Sequence, residues 1–404
     1  MNQNYMGNKV NNRLKVLNLV RWYPNRYDPM PGLFIQRHAE AANNCCDAGV
    51  VYTHIVDDKS PDGNIYDIDY NEINGVPTVK IYYTTSGLKL FPFNKIINIF
   101  RFFKANAIGV KHIKNQLGGF DIIHVHVLTR LGLIALYYKF FHGVPYLISE
   151  HWSRYLELTG SFNGFLRKVV TRIIVKYAST VTTVTDNLAK AMKSHSLSND
   201  NYIVLPNVVD DVFLKNSDNS VAHSSPITFI HVSCFEDKSK NVSGLLRVIS
   251  KLSKTRNDFI FRLVGDGMDM GWLRKYATEL GLTEKQVIFT GLLEGEKLVE
   301  EMASANMMVV FSNYENFPVV INESLSLGVP VFATRVGGIP ERINDNNGGL
   351  IDAGNEDQLL AKLIGFLDKK LSFNMSKIQV NARNEFSPTT IGNVLCEIYD
   401  KALK

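Results

Sequence analysis

Cysteine is scarce: four in 404 residues, at Cys45, Cys46, Cys234 and Cys396. None shows the C-x2-C spacing of a zinc or dithiol site, so each is expected to be a buried thiol acting as a small hydrophobe. That usage suits a reducing compartment. Long apolar runs are also missing, and nothing approaches the ~20 residues needed to span a bilayer. Met1 to Asn12 is polar and lacks the apolar stretch of a signal peptide. The expected location is therefore cytoplasmic, with contact at most at the inner face of a membrane. Acidic residues are absent from Ile73 to Phe120, where Lys80, Lys89, Lys95, Arg101, Lys104, Lys111 and Lys114 fall. The net charge of +5 is too mild to demand nucleic acid, so this one-signed block reads as a candidate surface for an anionic partner. No short repeat and no low-complexity tract occurs.

With 45% hydrophobic and 21% charged residues, the composition is that of an ordinary globular protein. The length suits two α/β domains of roughly 200 residues each. Short β-branched runs alternate with helical stretches, the pattern of parallel sheets covered by helices. In the first half, strands are expected at 15–20, 50–56, 121–125, 146–149 and 180–185. Helices are expected at 34–48, 94–116, 130–141, 164–178 and 186–194. Around Lys215–Pro226 the sequence turns to Asn, Ser, Asp and His, which is linker chemistry. A second series follows, with strands at 227–232, 259–264, 287–290, 307–311 and 329–333. Its helices are expected at 243–254, 270–280, 295–304 and 322–327, and a helix-like tail runs from about Asn381 to Lys404. In open α/β sheets the ligand lies beyond the carboxyl ends of the strands, so two such sheets place the expected site in a cleft between them.

The most informative stretch is Glu315-Asn316-Phe317-Pro318-Val319-Val320-Ile321-Asn322-Glu323, which continues through Gly328-Val329-Pro330-Val331 to Gly337-Gly338-Ile339-Pro340-Glu341. A loop here gives way to a helix, and a helix start offers free N–H donors and a favourable dipole to phosphate. A glutamate just before the helix can hold sugar hydroxyls, and one two turns on can hold a ribose. This segment resembles the E-x7-E signature of retaining glycosyltransferase family 4, enzymes of the GT-B fold with two Rossmann-like, doubly wound domains.

The likeness extends over nearly the whole chain. Trp22-Tyr23-Pro24 and Gly32-Leu33-Phe34 resemble the family's glycine loop and first helix, and Asp121 to His126 and Ser149-Glu150-His151 its central strands. Leu205-Pro206-Asn207 with Phe213 resembles the segment before the linker. Leu263-Val264-Gly265-Asp266-Gly267, Phe289-Thr290-Gly291 and Phe386-Ser387-Pro388 fall in the expected order. The resemblance implies an acceptor-binding domain over 1–214 and a nucleotide-sugar-binding domain over 215–385. A final helix over about 386–404 would pack back onto the first.

It also implies roles. Glu315 would contact the donor sugar, and the backbone stretch of Asn316, Phe317, Pro318 and Val319 would bring donors to the sugar and phosphates. Glu323 would bind the ribose. Gly32 would let its loop come close to the diphosphate. His151 would help orient the donor, and Lys240 would neutralise the diphosphate as charge builds on the leaving group. Gly265 and Gly291 would border the donor. Two departures stand out. Cys234 occupies the place of a common arginine, to be compensated by Lys238 or a residue of the other domain, and the exchange loses a bidentate phosphate ligand. Pro318 lacks the N–H that a glycine would offer.

Other signals are weaker. Asp67-Ile68-Asp69 looks like a metal-binding D-x-D, but it is expected in an irregular region without the matching architecture. His124 and His126 share one face of a strand and read as core or cleft packing. The basic, aromatic stretch 94–116 reads either as a helix on an anionic membrane surface or as a covering helix of the first sheet. The implied reaction moves a hexose-type sugar, with retention, from a UDP- or GDP-linked donor to a glycan or lipid-linked acceptor, as in surface polysaccharide assembly. It needs no metal and no cofactor beyond the donor co-substrate. No nucleic-acid module is expected. The rivals are a sugar-nucleotide epimerase of the same fold and a donor-binding scaffold without turnover.

Overall fold

The computed structural model of the chain describes residues 13–57, 63–87, 92–128, 130–215 and 226–404. Lys89, Met1 to Asn12 and the stretch 216–225 of the linker lie outside the described residues.

The first series of elements opens with β1 (Leu14–Val20), α1 (Leu33–Ala42), β2 (Cys46–Val56), β3 (Tyr66–Ile73), β4 (Val76–Thr84) and α2 (Phe93–Leu117). It continues with β5 (Ile122–His126), α3 (Leu131–His142), β6 (Tyr146–Glu150), α4 (Phe165–Tyr177) and β7 (Thr180–Thr183). Then come α5 (Asp186–Ser194), β8 (Tyr202–Val204) and α6 (Asp211–Lys215). The second series runs β9 (Ile227–Val232), α7 (Asp237–Lys240), α8 (Val242–Ser253), β10 (Phe259–Val264), α9 (Met270–Glu279) and β11 (Val287–Gly291). After it come α10 (Gly295–Ala303), β12 (Met307–Val310), α11 (Val319–Ser326), β13 (Val331–Thr334) and β14 (Gly348–Ile351). The chain closes with α12 (Glu356–Leu367), α13 (Met375–Phe386) and α14 (Pro388–Leu403).

The strands form two sheets, ordered β3-β4-β2-β1-β5-β6-β7-β8 and β11-β10-β9-β12-β13-β14. The second is parallel throughout. Its strands are near-continuous apolar runs because helices cover both faces; Phe229, Phe261, Leu263, Val309 and Phe332 are fully buried in its core. In each sheet the chain winds outward on one side and then crosses back, between β1 and β5 in the first and between β9 and β12 in the second. These crossings are the topological switch points at which doubly wound sheets bind ligands. The architecture is two Rossmann-like, doubly wound α/β domains, as expected.

Contacts divide the chain into two compact units. One runs through Ser149 and takes in Tyr177–Val181 and Gly392–Lys404; the other holds Glu150–Lys176 and Thr182–Ile391.

Several features differ from expectation. Asp67 and Asp69 lie not in an irregular region but on β3, which pairs antiparallel with β4. Asp67 accepts a hydrogen bond from Arg26 at 2.5 Å, and Asp69 accepts one from Asn71 at 2.6 Å. The hairpin turns at Asn74-Gly75, both with positive φ, and Asn-Gly is the pair that such a turn favours. The cysteines also depart from four buried thiols. Cys45 and Cys396 are joined as a disulfide, and Cys234 is exposed. Only Cys46 behaves as foreseen, with burial pushing its pKa up to about 12. The bridge ties α14 down beside two other contacts at helical spacing. A Cβ on Gly392 would fall on the Ala41 carbonyl, and the Tyr399 hydroxyl hydrogen-bonds His124 Nδ1 at 2.9 Å.

Candidate active site

The crossing in the second sheet sets two loops side by side. Past β9 the chain turns into α7, a single helical turn fixed by its own polar residues. Asp237 accepts from the Ser243 N–H and hydroxyl, both at 2.7 Å, and the Asp237 N–H donates to Asp269 at 2.8 Å. Ser239 Oγ donates to the Glu236 carboxylate at 2.9 Å. Asn241 ends the turn in the left-handed conformation, φ 50°, a state that asparagine tolerates better than most residues. Past β12 the loop 311–318 runs over α7. The Asn313 N–H donates to the Ser239 carbonyl at 2.8 Å and its side-chain amide to the Lys238 carbonyl at 3.1 Å. His231 stitches the parent strands together, with Nδ1 2.8 Å from the Val309 carbonyl and Nε2 2.8 Å from Ser233 Oγ. Burial, with a further push from the charge of Lys240, holds its pKa down to about 4 despite the bond to Val309. It is therefore a neutral crosslink and not an acid.

These clamps deliver Lys240 Nζ to 2.5 Å from Glu315 Oε1, with the side chains only 17% and 10% exposed. Ser312 Oγ adds a hydrogen bond to the same oxygen at 3.0 Å. Burial alone would lower the lysine pKa. The charge and hydrogen bond of Glu315, with Cys234 and Glu236 beyond, outweigh it, and the pKa is raised. The ammonium is thus fully charged near neutrality.

The double glycine supports this loop. Gly337 has φ 55°, and a Cβ there would fall on the Glu315 carbonyl. A Cβ on Gly338 would strike Thr185 and come 3.0 Å from the Asn316 carbonyl. That carbonyl accepts from the Gly338 N–H at 2.8 Å, while the Asn316 amide donates to the His151 carbonyl at 2.8 Å. Lys240, Glu315, Asn316 and His151 thus form one connected cluster. Phe317 is buried beside it, Pro318 is the N-cap of α11, and Val319 opens that helix with no side-chain cap. The start of α11 therefore keeps donors available to an anion. Glu323 lies buried on α11.

The remaining candidates are placed differently. Lys238 is exposed on α7. Gly265 packs beneath the loop after β9, since a Cβ there would fall on the Ser233 carbonyl. Gly291 ends β11, two strands from β9 at the sheet edge. Gly32 belongs to the other unit, where a Cβ would fall on the Trp22 backbone; with φ 78° it starts α1. Its need for glycine is already explained by its own chain.

Three contributors escaped the sequence. Ser312 and Asn313 hold the loop, and Glu341 caps α5, accepting from the Asp186 and Asn187 N–H groups at 2.8 and 2.7 Å. Glu341 had a signal, as the acid that ends the double-glycine run.

Residues 213–385 match the family described as Glycosyl transferases group 1, and residues 66–213 match Glycosyltransferase Family 4. An uncharacterized glycosyltransferase of Methanocaldococcus jannaschii is 26% identical over 274 residues, covering 66% of this chain and 70% of that protein. The N-acetyl-alpha-D-glucosaminyl L-malate synthase of Bacillus anthracis is 27% identical over 275 residues, covering 65% and 69%. Among solved structures, the Anabaena protein HepE in complex with UDP superposes with a TM-score of 0.70 at 19% identity, covering 96% of this chain and all of that one.

Proposed function

We propose, from the premise that this chain is a GT-B glycosyltransferase of the family 4 type, that it transfers a hexose-type sugar with retention from a UDP- or GDP-linked donor. The acceptor is a glycan or lipid-linked hydroxyl, in the manner of surface polysaccharide assembly. The observation that carries the reading is the Lys240–Glu315 pair at the crossing of β9 and β12. Residues 215–385 hold the donor and residues 1–214 serve the acceptor, with the tail helix joined to the latter.

Lys240 and the start of α11 receive the diphosphate, and Glu315 turns its second oxygen to the sugar hydroxyls. Glu323 takes the ribose, while His151 and Asn316 fix the ring. The bond from C1 to the diphosphate oxygen breaks as the acceptor oxygen bonds C1 from the same face. The acceptor proton passes to the departing phosphate. Catalysis consists of positioning and electrostatic stabilisation of the leaving charge, and no step calls on a metal. With an α-linked donor, proton NMR of the first product is expected to show the α-anomer; a β-anomer overturns retention.

The acid-free segment gives a membrane-facing reading for one end of the first unit. From Phe102 on, α2 covers the sheet with Phe102, Ala105, Gly109, Val110 and Ile113. Its first turns instead expose Phe93 (62%) and Phe100 (71%). Aromatic side chains beside Lys95 and Lys104 suit an anionic lipid surface, and among the described residues no helix is long and apolar enough to cross a membrane. Sedimentation with phosphatidylglycerol vesicles is expected to carry the protein down, and Phe93→Ser with Phe100→Ser to release it. Equal recovery with phosphatidylcholine alone contradicts the electrostatic part.

A further inference from the structure

The loop that carries Glu315 also walls a cavity of about 370 Å³ within the second unit, a size at which small ligands are held. Tyr314, Glu315 and Gly337 close one side. Glu157 and Thr159 line it too, with a stripe of α5, Asn187, Lys190 and Ser194, at helical spacing. We propose that this cavity is the acceptor subsite, and that it selects a neutral, hydroxyl-rich sugar over an acceptor bearing phosphate or carboxylate. The inference rests on the transferase reading and gives it a substrate class.

Three features of the lining decide the class. The first is charge. Glu157, Glu315 and Lys190 line the cavity; Glu315 is paired with Lys240 at 2.5 Å and Lys190 with Asp186 at 2.6 Å, which leaves the charge of Glu157. An anion entering here meets more repulsion than attraction. The second is the helix start. The N-terminus of α5 is the natural anion cradle of this wall, but it is filled. Glu341 takes the N–H groups of Asp186 and Asn187, and Thr185 Oγ1 takes that of Leu188 at 3.1 Å.

The third is hydrogen-bond polarity. The Thr159 hydroxyl donates to the Leu156 carbonyl at 2.9 Å and the Ser194 hydroxyl to the Ala191 carbonyl at 2.8 Å. Both therefore turn lone pairs, not protons, to a ligand. With the carboxylates they make a wall rich in acceptors, which wants a ligand rich in donors. Sugar hydroxyls supply those, and a phosphate or carboxylate does not. Asn187 offers both kinds, and Tyr314 adds aromatic surface against a ring's C–H face.

The test uses the full chain with the donor that it consumes. Methyl glycosides of glucose, galactose and mannose are compared as acceptors with L-malate and inositol 3-phosphate, and Glu157→Lys is run beside the wild type. At least one glycoside is expected to exceed both anions in kcat/KM by tenfold or more. Glu157→Lys is expected to move that ratio toward the anions by about tenfold, the effect of reversing one nearby charge. Faster transfer to L-malate or inositol 3-phosphate, or an unmoved ratio in Glu157→Lys, overturns the subsite while the transferase reading stands. Calorimetric binding of a methyl glycoside that Glu157→Lys weakens, with no donor consumed, supports the subsite and removes the transferase reading instead.

Discussion

Lys240→Ala is expected to lower kcat by about 10²–10³-fold, the effect of removing one preorganised group that stabilises developing charge. Two consequences combine. The leaving diphosphate loses the cation that the β9–β12 crossing aims at it, and Glu315 is left 10% exposed, hydrogen-bonded by Ser312 but without its counter-charge. Stranding one member of a buried pair costs about 3–5 kcal/mol, and the partial exposure of this pair places the loss at the low end. Thermal unfolding should therefore fall by a few degrees with the fold retained by circular dichroism. Lys240→Arg keeps the charge but not the shape, because a planar fork does not fit where a single ammonium lies 2.5 Å from the carboxylate. Intermediate activity is expected. Steady-state release of nucleoside diphosphate reads both variants, and a Lys240→Ala protein that keeps more than a tenth of its activity removes the lysine from the mechanism.

Gly337→Val is expected to abolish turnover while the rest of the second unit still folds. The position has φ 55°, and any Cβ falls on the Glu315 carbonyl. The left-handed conformation costs a side chain roughly 1–2 kcal/mol, more for a β-branched one. Forcing atoms into a filled space costs about 1–3 kcal/mol besides. Relief comes only by moving the loop that carries Glu315 and Asn316, so stability and activity fall together. Gly337→Ala should lie between. Measured kcat and unfolding temperature decide the matter, and a Gly337→Val enzyme close to wild type in both contradicts the placement of the loop.

The sequence was most legible where pattern and period agree. Strands β9 and β10 and helix α5 have the expected bounds; apolar runs in a parallel sheet are strong local signals, and Thr185 fixes the start of α5 by accepting from the Leu188 N–H. Helix α11 begins at Val319, not at 322, because Val-Val-Ile after a proline reads locally as strand and tertiary packing overrides that preference. The β3–β4 hairpin was lost although Asn74-Gly75 announced it. The Cys45–Cys396 bridge spans 351 residues, and no local rule can pair such partners. At the site, family likeness named Lys240 and Glu315 separately. Their direct contact depends on Asp237, Asn241 and Asn313 shaping two loops, and that is visible only in three dimensions. Glu341 belongs to the same class, since its hydrogen bonds reach residues 154 and 155 positions away.

If the Lys240–Glu315 crossing is a donor-sugar transfer site, loss of Glu315 stops turnover. The most direct test is release of free nucleoside diphosphate from UDP- and GDP-sugars, with and without acceptor glycosides, in the wild type and in Glu315→Ala. Acceptor-dependent release from one donor, lost in the variant, is the expected result. Conversion of the donor to an isomer, or tight binding of every donor with no release, would contradict it.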